Sequence, residues 1–482
     1  MTPPLRIGSK LGILAFLVLA TGLAPYSHGF VEAMRQARDH QAAQEYGQAL
    51  TAYERATELD RHAALPRLGS AVILLAQHRF LEAASAFHQA ERRGAGVSAT
   101  IGLGESFAGQ QDWAAALQVW YRAQRTAPGD PRLLISLAEG SIAQGQFDRA
   151  REYLAAALES DLRPDRFALW ARGTRLGMSS QELAAEVHGL LGRLLAGDDP
   201  VAAQRHLQQA GDDDMLAVLQ AAAAEADPAR RSLLLGAAFL QRDDLALARH
   251  YLQRSVALGA DDPEALAYLA HTLDRLGETG AARAALEQAI ALDPASTIAQ
   301  YFLAIHLRQV GYVRDAQAVL WEALQREPVN AALRAEMAKC FEELSDYPQA
   351  EEWYNGAAEA APEDPAFQQL LAHFYVDHLY HIEAEAVPAA QKAVEMAPED
   401  PAAHDILGWA YVLAGQPVEG EQSLRQALAL DPTLVRAHFH LGSLYSQAGS
   451  RTQAQHHLQR AIDLDTTGFY RERAQATLEG MD

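Results

Sequence analysis

Most side chains that could do chemistry lack the spacing that their chemistry needs. Gly104-Glu105-Ser106-Phe107-Ala108 has the outline of a nucleophile elbow, but its last glycine is missing, and the surrounding pattern is that of a helix interior. Ser106 therefore reads as a packing residue. Gly102 and Gly104 do not complete a dinucleotide fingerprint, and neither a G-x-x-x-x-G-K-[ST] phosphate loop nor an H-E-x-x-H zinc helix occurs. Eighteen histidines offer metal ligands. Their densest group is His373, His378 and His381 beside Glu383 and Glu385. His378 and His381 would share a helical face, and a nearby carboxylate would complete a metal site. The competing reading of these residues is a solvated turn. His438-Phe439-His440 and His456-His457 read as groove and surface residues rather than ligands. The single cysteine, Cys340, excludes an intrachain disulfide framework and a Cys-based zinc cluster. No catalytic residue, metal or cofactor is expected.

The elements that must hold any site are helices. Of 482 residues, 49% are hydrophobic, as in a folded chain. Alanine, leucine, glutamine, glutamate and arginine dominate, β-branched runs are short, and an all-α fold follows. There are 62 acidic and 40 basic residues, a net charge of −22. That balance argues against a general nucleic-acid binder, which would neutralise phosphates with Lys and Arg.

Small residues recur at fixed distances. Ala282, Ala316, Ala350, Ala386, Gly420 and Ala454 are separated by 34, 34, 36, 34 and 34, and Ala289, Ala323, Ala357, Ala393, Ala427 and Ala461 repeat those spacings. The single 36 marks a two-residue insertion between Ala372 and Ala386. Gly277, Gly311, Gly415 and Gly449 mark a turn between two amphipathic helices in each unit, and Pro294, Pro328, Pro362, Pro398 and Pro432 close the units. Near the front, Ala49, Ala83, Ala116 and Ala150 and their partners Ala56, Ala90, Ala123 and Ala157 repeat the pattern, with Tyr53, Phe87 and Trp120 alongside. One helix pair cannot bury its apolar face alone, so the units must stack.

This pattern resembles the tetratricopeptide repeat (TPR) family over roughly residues 31–162 and 228–466. The resemblance implies a right-handed superhelical solenoid of helix-turn-helix units, in two arrays bridged by an irregular helical segment. It also implies that the first helix of each pair lines a concave face where peptides bind. In the second array this places Tyr268, His271, Tyr301, Phe302, Glu336 and Lys339 in the groove. His373, Asp405, Trp409, Phe439 and His440 continue it. Exposed aromatics there would give large contact area; the competing reading is that superhelical neighbours cover them. The family's chaperone-tail clamp holds a C-terminal carboxylate with Asn, Lys and Arg, and the corresponding positions here lack Asn. The first array shows fewer polar candidates: Arg35, Arg38, Glu105, Arg132 and Glu139.

Five segments are expected: a signal peptide or membrane anchor at 1–29, a first array at 30–162, a divergent helical bridge at 163–227, a second array at 228–466 and a capping helix at 467–482. A divergent unit in the bridge fits Leu190, Leu194, Ala203, Leu207 and Ala210. Residues 1–10 carry Arg6 and Lys10 and no acid, and residues 11–24 are uncharged and mostly apolar. As a helix those fourteen residues reach about 21 Å, short of the ~30 Å hydrocarbon core. The reading is an exported or membrane-anchored, non-enzymatic scaffold that contacts a membrane only through this segment. Its partner is a protein or peptide, and family roles in secretion or envelope assembly are implied. The alternatives are the repeat arm of a glycosyltransferase-type enzyme, which would need a long α/β region, and a metal-binding adaptor built on the His373–Glu385 group.

Overall fold

The computed structural model describes residues 27–160, 174–259, 261–465 and 468–481. Almost all of the expected targeting segment, and residues 161–173 of the expected bridge, lie outside them. Every regular element among the described residues is helical, and the fold is an all-α helical repeat.

The chain divides into two compact units. One comprises residues 1–140 and 152–184, the other residues 141–151 and 185–482. In the first, His28–Ala42 pairs with Tyr46–Leu59, Leu65–Ala76 with Phe80–Glu91, and Val97–Gly109 with Trp113–Gln124. The alanine tracks explain the pairing: Ala49, Ala56, Ala83, Ala90 and Ala116 are all fully buried, because a methyl-sized side chain lets two helices approach closely. The accompanying rings Tyr53, Phe87 and Trp120 are fully buried as well. Each needs a residue without a side chain opposite it. A Cβ on Gly69 would lie 2.3 Å from Tyr53 Cζ, and one on Gly102 would lie 2.3 Å from Phe87 Cζ.

The second unit repeats the scheme in the helix pairs Pro228–Gln241 with Leu245–Leu258, Pro263–Arg275 with Thr279–Leu292, Thr297–Gln309 with Val313–Arg326 and Ala331–Glu343 with Tyr347–Ala360. It continues through Pro365–Asp377 with Val387–Met396, Pro401–Leu413 with Pro417–Leu430 and Val435–Gln447 with Arg451–Leu464, and ends in Phe469–Glu479. Helix starts are encoded locally. Asp244, Asp262, Ser296, Asn330, Asp346, Asp364 and Asp400 each cap a helix by accepting a backbone N–H. Inside the units, Gly277, Gly311, Gly415 and Gly449 all adopt positive φ, as the turn requires. Asp243, Ser345 and Leu379 take the same conformation in other units without being glycine. The closing prolines gain a recurrent partner six residues on: Gln300, Arg334, His404 and His438 each donate a side-chain hydrogen bond to the carbonyl of Pro294, Pro328, Pro398 and Pro432 respectively.

Two places depart from the regular pattern. The two-residue insertion is absorbed by Leu379 and His381, both at positive φ, and by a single π-turn, Ile382–Ala386, before Val387–Met396 begins. The described part of the expected bridge is helical: a 3-10 turn at Arg175–Gly177 precedes the α-helices Ser180–Leu195, Pro200–Ala210 and Asp213–Ala223. Leu194, Ala203 and Leu207 are buried as expected, while Val187 and Leu191 take core positions that Leu190 does not.

The divergent pair and the last pair share an internal contact. Gly192 and Gly442 sit against Leu207 and Leu458, each with room for no Cβ. Four residues before those glycines stand His188 and His438; immediately before those leucines stand His206 and His457. The Nδ1 atoms are 2.8 Å apart in the first couple and 3.0 Å in the second. Because His438 Nε2 donates to the Pro432 carbonyl, its Nδ1 accepts and His457 Nδ1 donates. Burial pushes both imidazoles down to about 4, with Arg460 and His456 adding to this at His438, and with His438, His456 and Arg425 adding to it at His457. A histidine whose folded pKa lies below its unfolded 6.5 stabilises the fold fully above pH 6.5 and loses that contribution as pH falls toward 4. The urea midpoint of the wild type is therefore expected to drop between pH 6.5 and 4.5 by more than that of His438→Gln/His457→Gln. Equal drops would show that the couple is not titrating there.

Candidate functional site

Successive first helices of the second unit pack on one another: Pro263–Arg275 on Thr297–Gln309, and so on to Val435–Gln447, which also packs on Phe469–Glu479. The residues expected in the groove lie on these helices and fall into three groups.

The first is an aromatic cluster. Phe302 meets Tyr268 edge-on at 5.2 Å, stacks on His271 at 4.7 Å and touches Tyr301 at 5.3 Å. Phe302 is buried by its neighbours rather than presented, because it points between two first helices. Tyr268, His271 and Tyr301 stay partly exposed. Burial raises the Tyr301 hydroxyl to about 12 and lowers His271.

The second is ionic. Glu336 is buried, with Arg308 Nε 2.6 Å and Lys339 Nζ 3.4 Å from its carboxylate. Arg308 also reaches Glu343 at 2.5 Å. Glu336 thus serves as an internal anchor between adjacent first helices, where the sequence reading presents it to a ligand; Lys339 remains half-exposed. A neighbouring rung of the same kind, His306 on Asp274 at 2.8 Å, is buried too.

The third group converges on one open cavity of about 650 Å³, lined by His373, Asp405, Trp409, Phe439 and His440 together with Arg436, Phe469, Tyr470 and Arg473. Asp405 is fully buried on its floor. His440 Nδ1 donates to Asp405 Oδ1 at 2.9 Å, and Arg436 Nε sits 2.6 Å from Oδ2, close enough to pair though poorly aligned for a hydrogen bond. Burial pushes the Asp405 carboxyl up, but the His440 imidazole and the Arg436 guanidinium outweigh it and hold the pKa below the usual range. Arg436 Nη1 also donates to His373 Nε2 at 3.1 Å, and burial with that cation lowers His373 to about 4. The His440 ring lies parallel to Trp409 at 4.4 Å, fixing the indole. Asp405 and His440 are thus buried supports rather than exposed groove residues, while His373, Trp409 and Phe439 are partly exposed.

Sequence reasoning missed Arg436, Tyr470 and Arg473. Arg436 occupies a register position held by Ala402 in the preceding unit, so the repeat carried no sign of it. Tyr470 and Arg473 come from the terminal helix, outside the repeat register. In the first unit, Arg132 is buried and paired with Asp130 at 2.6 Å, and Arg175 binds Glu139 at 2.7 Å and lies 3.6 Å from Glu105. Those candidates are structural ties. A further hollow of about 490 Å³ holds Arg151 and Asp198 beside Phe147 and His250, but its charges are cross-paired, since Arg151 and Arg254 share Asp198.

The histidines proposed as a metal group turn to different partners. His378 Nε2 is 2.8 Å from Glu342, His381 Nδ1 is 3.3 Å from Glu351, and His373 faces Arg436. Among the described residues no group of three or more His, Cys, Asp or Glu side chains could hold a metal ion. Ser106 Oγ donates to the Gly102 carbonyl at 2.8 Å inside Val97–Gly109, a buried packing contact. Burial raises the Cys340 thiol to about 12.

Models described as tetratricopeptide repeat match residues 68–131, 107–172, 263–306, 307–374, 384–434 and 435–467, more than half of the chain. The chain belongs to the tetratricopeptide repeat family. Among similar solved structures, the APC/C hetero-tetramer Cut9-Hcn1 is 15% identical, with 89% of this chain and 98% of that one covered and a TM-score of 0.40. A tetratricopeptide repeat protein from Parabacteroides merdae is 12% identical, with 52% and 98% covered and a TM-score of 0.40. The pilF protein of Pseudomonas aeruginosa is 18% identical, with 44% and 96% covered and a TM-score of 0.37. No curated protein matches. Likenesses this remote say nothing about a partner of this TPR chain.

Proposed function

We propose that this TPR protein, a protein-interaction scaffold, takes a protein or peptide segment on the first helices of its second unit, and that it does so after export. The observation that carries the groove reading is the aromatic-walled cavity on the Asp405 floor. A rigid, preformed surface spends little entropy on ordering when a partner arrives. TPR folds are generally non-catalytic, and a role as scaffold rather than enzyme belongs to the same proposal. Export rests on the basic-then-apolar layout of residues 1–24; among the described residues no helix is long and apolar enough to cross a membrane. Secretion or envelope assembly is the setting that fits such a scaffold.

The test is affinity capture from the native cells with the wild type and with Trp409→Ala/Tyr301→Ala. If both aromatics anchor the partner at ~2 kcal/mol each, the double variant weakens binding about a thousandfold while circular dichroism stays unchanged. Arg35→Ala, at an exposed site in the first unit, is the control. A folded double variant that binds as before removes the groove reading. Cell fractionation checks export: protein that keeps Met1 and stays with cytosolic markers rejects it.

A further inference from the structure

The terminal helix Phe469–Glu479 is expected to be a cap that shields the last pair. It does bury Ala474, but another face turns to the cavity. Tyr470 meets Phe439 at 5.4 Å, and Phe469, Tyr470 and Arg473 all line the opening. Phe469 is 51% exposed, which a residue serving only as a shield would not be.

The charges of the cavity are not equivalent. Asp405 is paired with Arg436 and accepts a hydrogen bond from His440. Arg308, on an earlier first helix, is likewise spent on Glu336 and Glu343. Arg473 differs. Among the described residues it has no carboxylate within ion-pair reach, and its guanidinium lies 3.7 Å over the Phe469 ring. That stack uses one face of the guanidinium and leaves its in-plane N–H donors for an incoming acceptor. A carboxylate is the group that such a planar fork fits best, through two parallel hydrogen bonds. Asp377, also at the opening, is 4.0 Å from His373 and would repel an anion, so a ligand carboxylate belongs on the Arg473 side. The net charge of −22 opposes an acidic partner from afar, but such repulsion fades within about 8 Å at physiological salt.

We propose that this cavity takes a peptide segment whose large apolar side chain sits between Trp409, Phe439 and Tyr470 while an adjacent carboxylate is held by Arg473. The terminal helix is then a specificity element as well as a cap. The proposal rests on the groove reading above and adds to it the chemistry of the partner. The carboxylate can belong to an Asp or Glu side chain or to a chain terminus. A volume of about 650 Å³ is within the ~300–1,000 Å³ range of pockets that enclose ligands of several rings or residues.

The test is selection of a random twelve-residue peptide library on the full chain, followed by fluorescence anisotropy on the enriched peptides, made with free and with amidated C-termini. The expected binders place Phe, Trp, Leu or Ile next to Asp or Glu, or next to a free terminus, and amidation tells these two apart. Arg473→Glu, at an exposed position, should weaken them about 10- to 100-fold, the size of a charge-assisted pair. A peptide with Lys in place of its acid should recover binding to that variant, and Arg473→Gln should be weak toward both peptides. Binders lost in Trp409→Ala but indifferent to Arg473→Glu would overturn the carboxylate and leave the groove standing. If no selected peptide depends on Trp409, the groove reading falls, and this proposal with it.

Discussion

Asp405→Ala is expected to destabilise the second unit by roughly 3–5 kcal/mol, the cost of breaking a buried ion pair from one side. The carboxylate has no exposed surface and holds two cationic or donor groups from the next first helix, Arg436 and His440. Its loss leaves the Arg436 charge without its counterion and the His440 N–H without an acceptor. Arg436 retains some contact with water, its side chain being 24% exposed, which puts the expected cost toward the lower end. Asp405→Asn keeps an acceptor for His440 and should cost less. Because repeats couple mainly to their neighbours, the damage should appear in hydrogen exchange of residues 365–481 before it appears in the first unit. Chemical denaturation with a loss under about 1 kcal/mol would mean that water reaches the site and carries the charge. The sign with pH follows from the lowered carboxyl: its contribution is complete above the unfolded value of 3.8 and is lost as pH falls below it. Asp405→Ala should therefore differ least from wild type in strong acid.

Gly104→Val should be as damaging in the first unit. A Cβ at residue 104 would lie 2.1 Å from Trp120 Nε1 and 2.5 Å from Cε2. Trp120 is fully buried and cannot swing away without losing the bond from Nε1 to the Ile101 carbonyl, 3.1 Å long. Overpacking of this kind costs ~1–3 kcal/mol or more, and a stranded indole donor and carbonyl add ~1–3 kcal/mol. A total of about 3–5 kcal/mol is expected, read as a lowered urea midpoint and increased exposure of Trp120 fluorescence. Gly47→Val serves as the contrast, since no atom lies within 4 Å of a Cβ there; its cost should stay below about 1 kcal/mol. Equal effects at the two positions would show that Gly104 has room to spare.

The all-α repeat and its register were legible in the chain because they depend on local terms. Ala282, Ala316 and Ala350 recur at 34 because each unit must bring two helices to the same separation, and only a small side chain permits it. Gly277, Gly311, Gly415 and Gly449 mark the turns because those residues adopt positive φ. The two-residue insertion was legible as a break in spacing, whereas its solution, with left-handed Leu379 and His381 leading into a π-turn, was not. Either a longer loop or a bulged helix would satisfy the same count.

The candidate site was legible only in outline. Register alone placed His373, Asp405, Trp409, Phe439 and His440 on first helices, and all five line one cavity. Register did not separate those that face a partner from those that hold neighbouring helices together. Phe302, Glu336, Asp405 and His440 are buried because an adjacent first helix supplies a ring, a cation or a carboxylate across a gap of 28 to 35 residues, and that pairing depends on how closely the two helices pack. Tyr470 and Arg473 lie beyond the last repeat, so the 34-residue period gave no sign that Tyr470 meets Phe439, whereas Arg473 over Phe469 is an ordinary i,i+4 contact of one helix. What the sequence by itself determined is what repeats every 34 residues: helix period, turn, cap and small-residue contact. What the tertiary structure decided is what each first helix meets on the next one and on the terminal helix, because burial and charge pairing are properties of stacked neighbours rather than of any one unit.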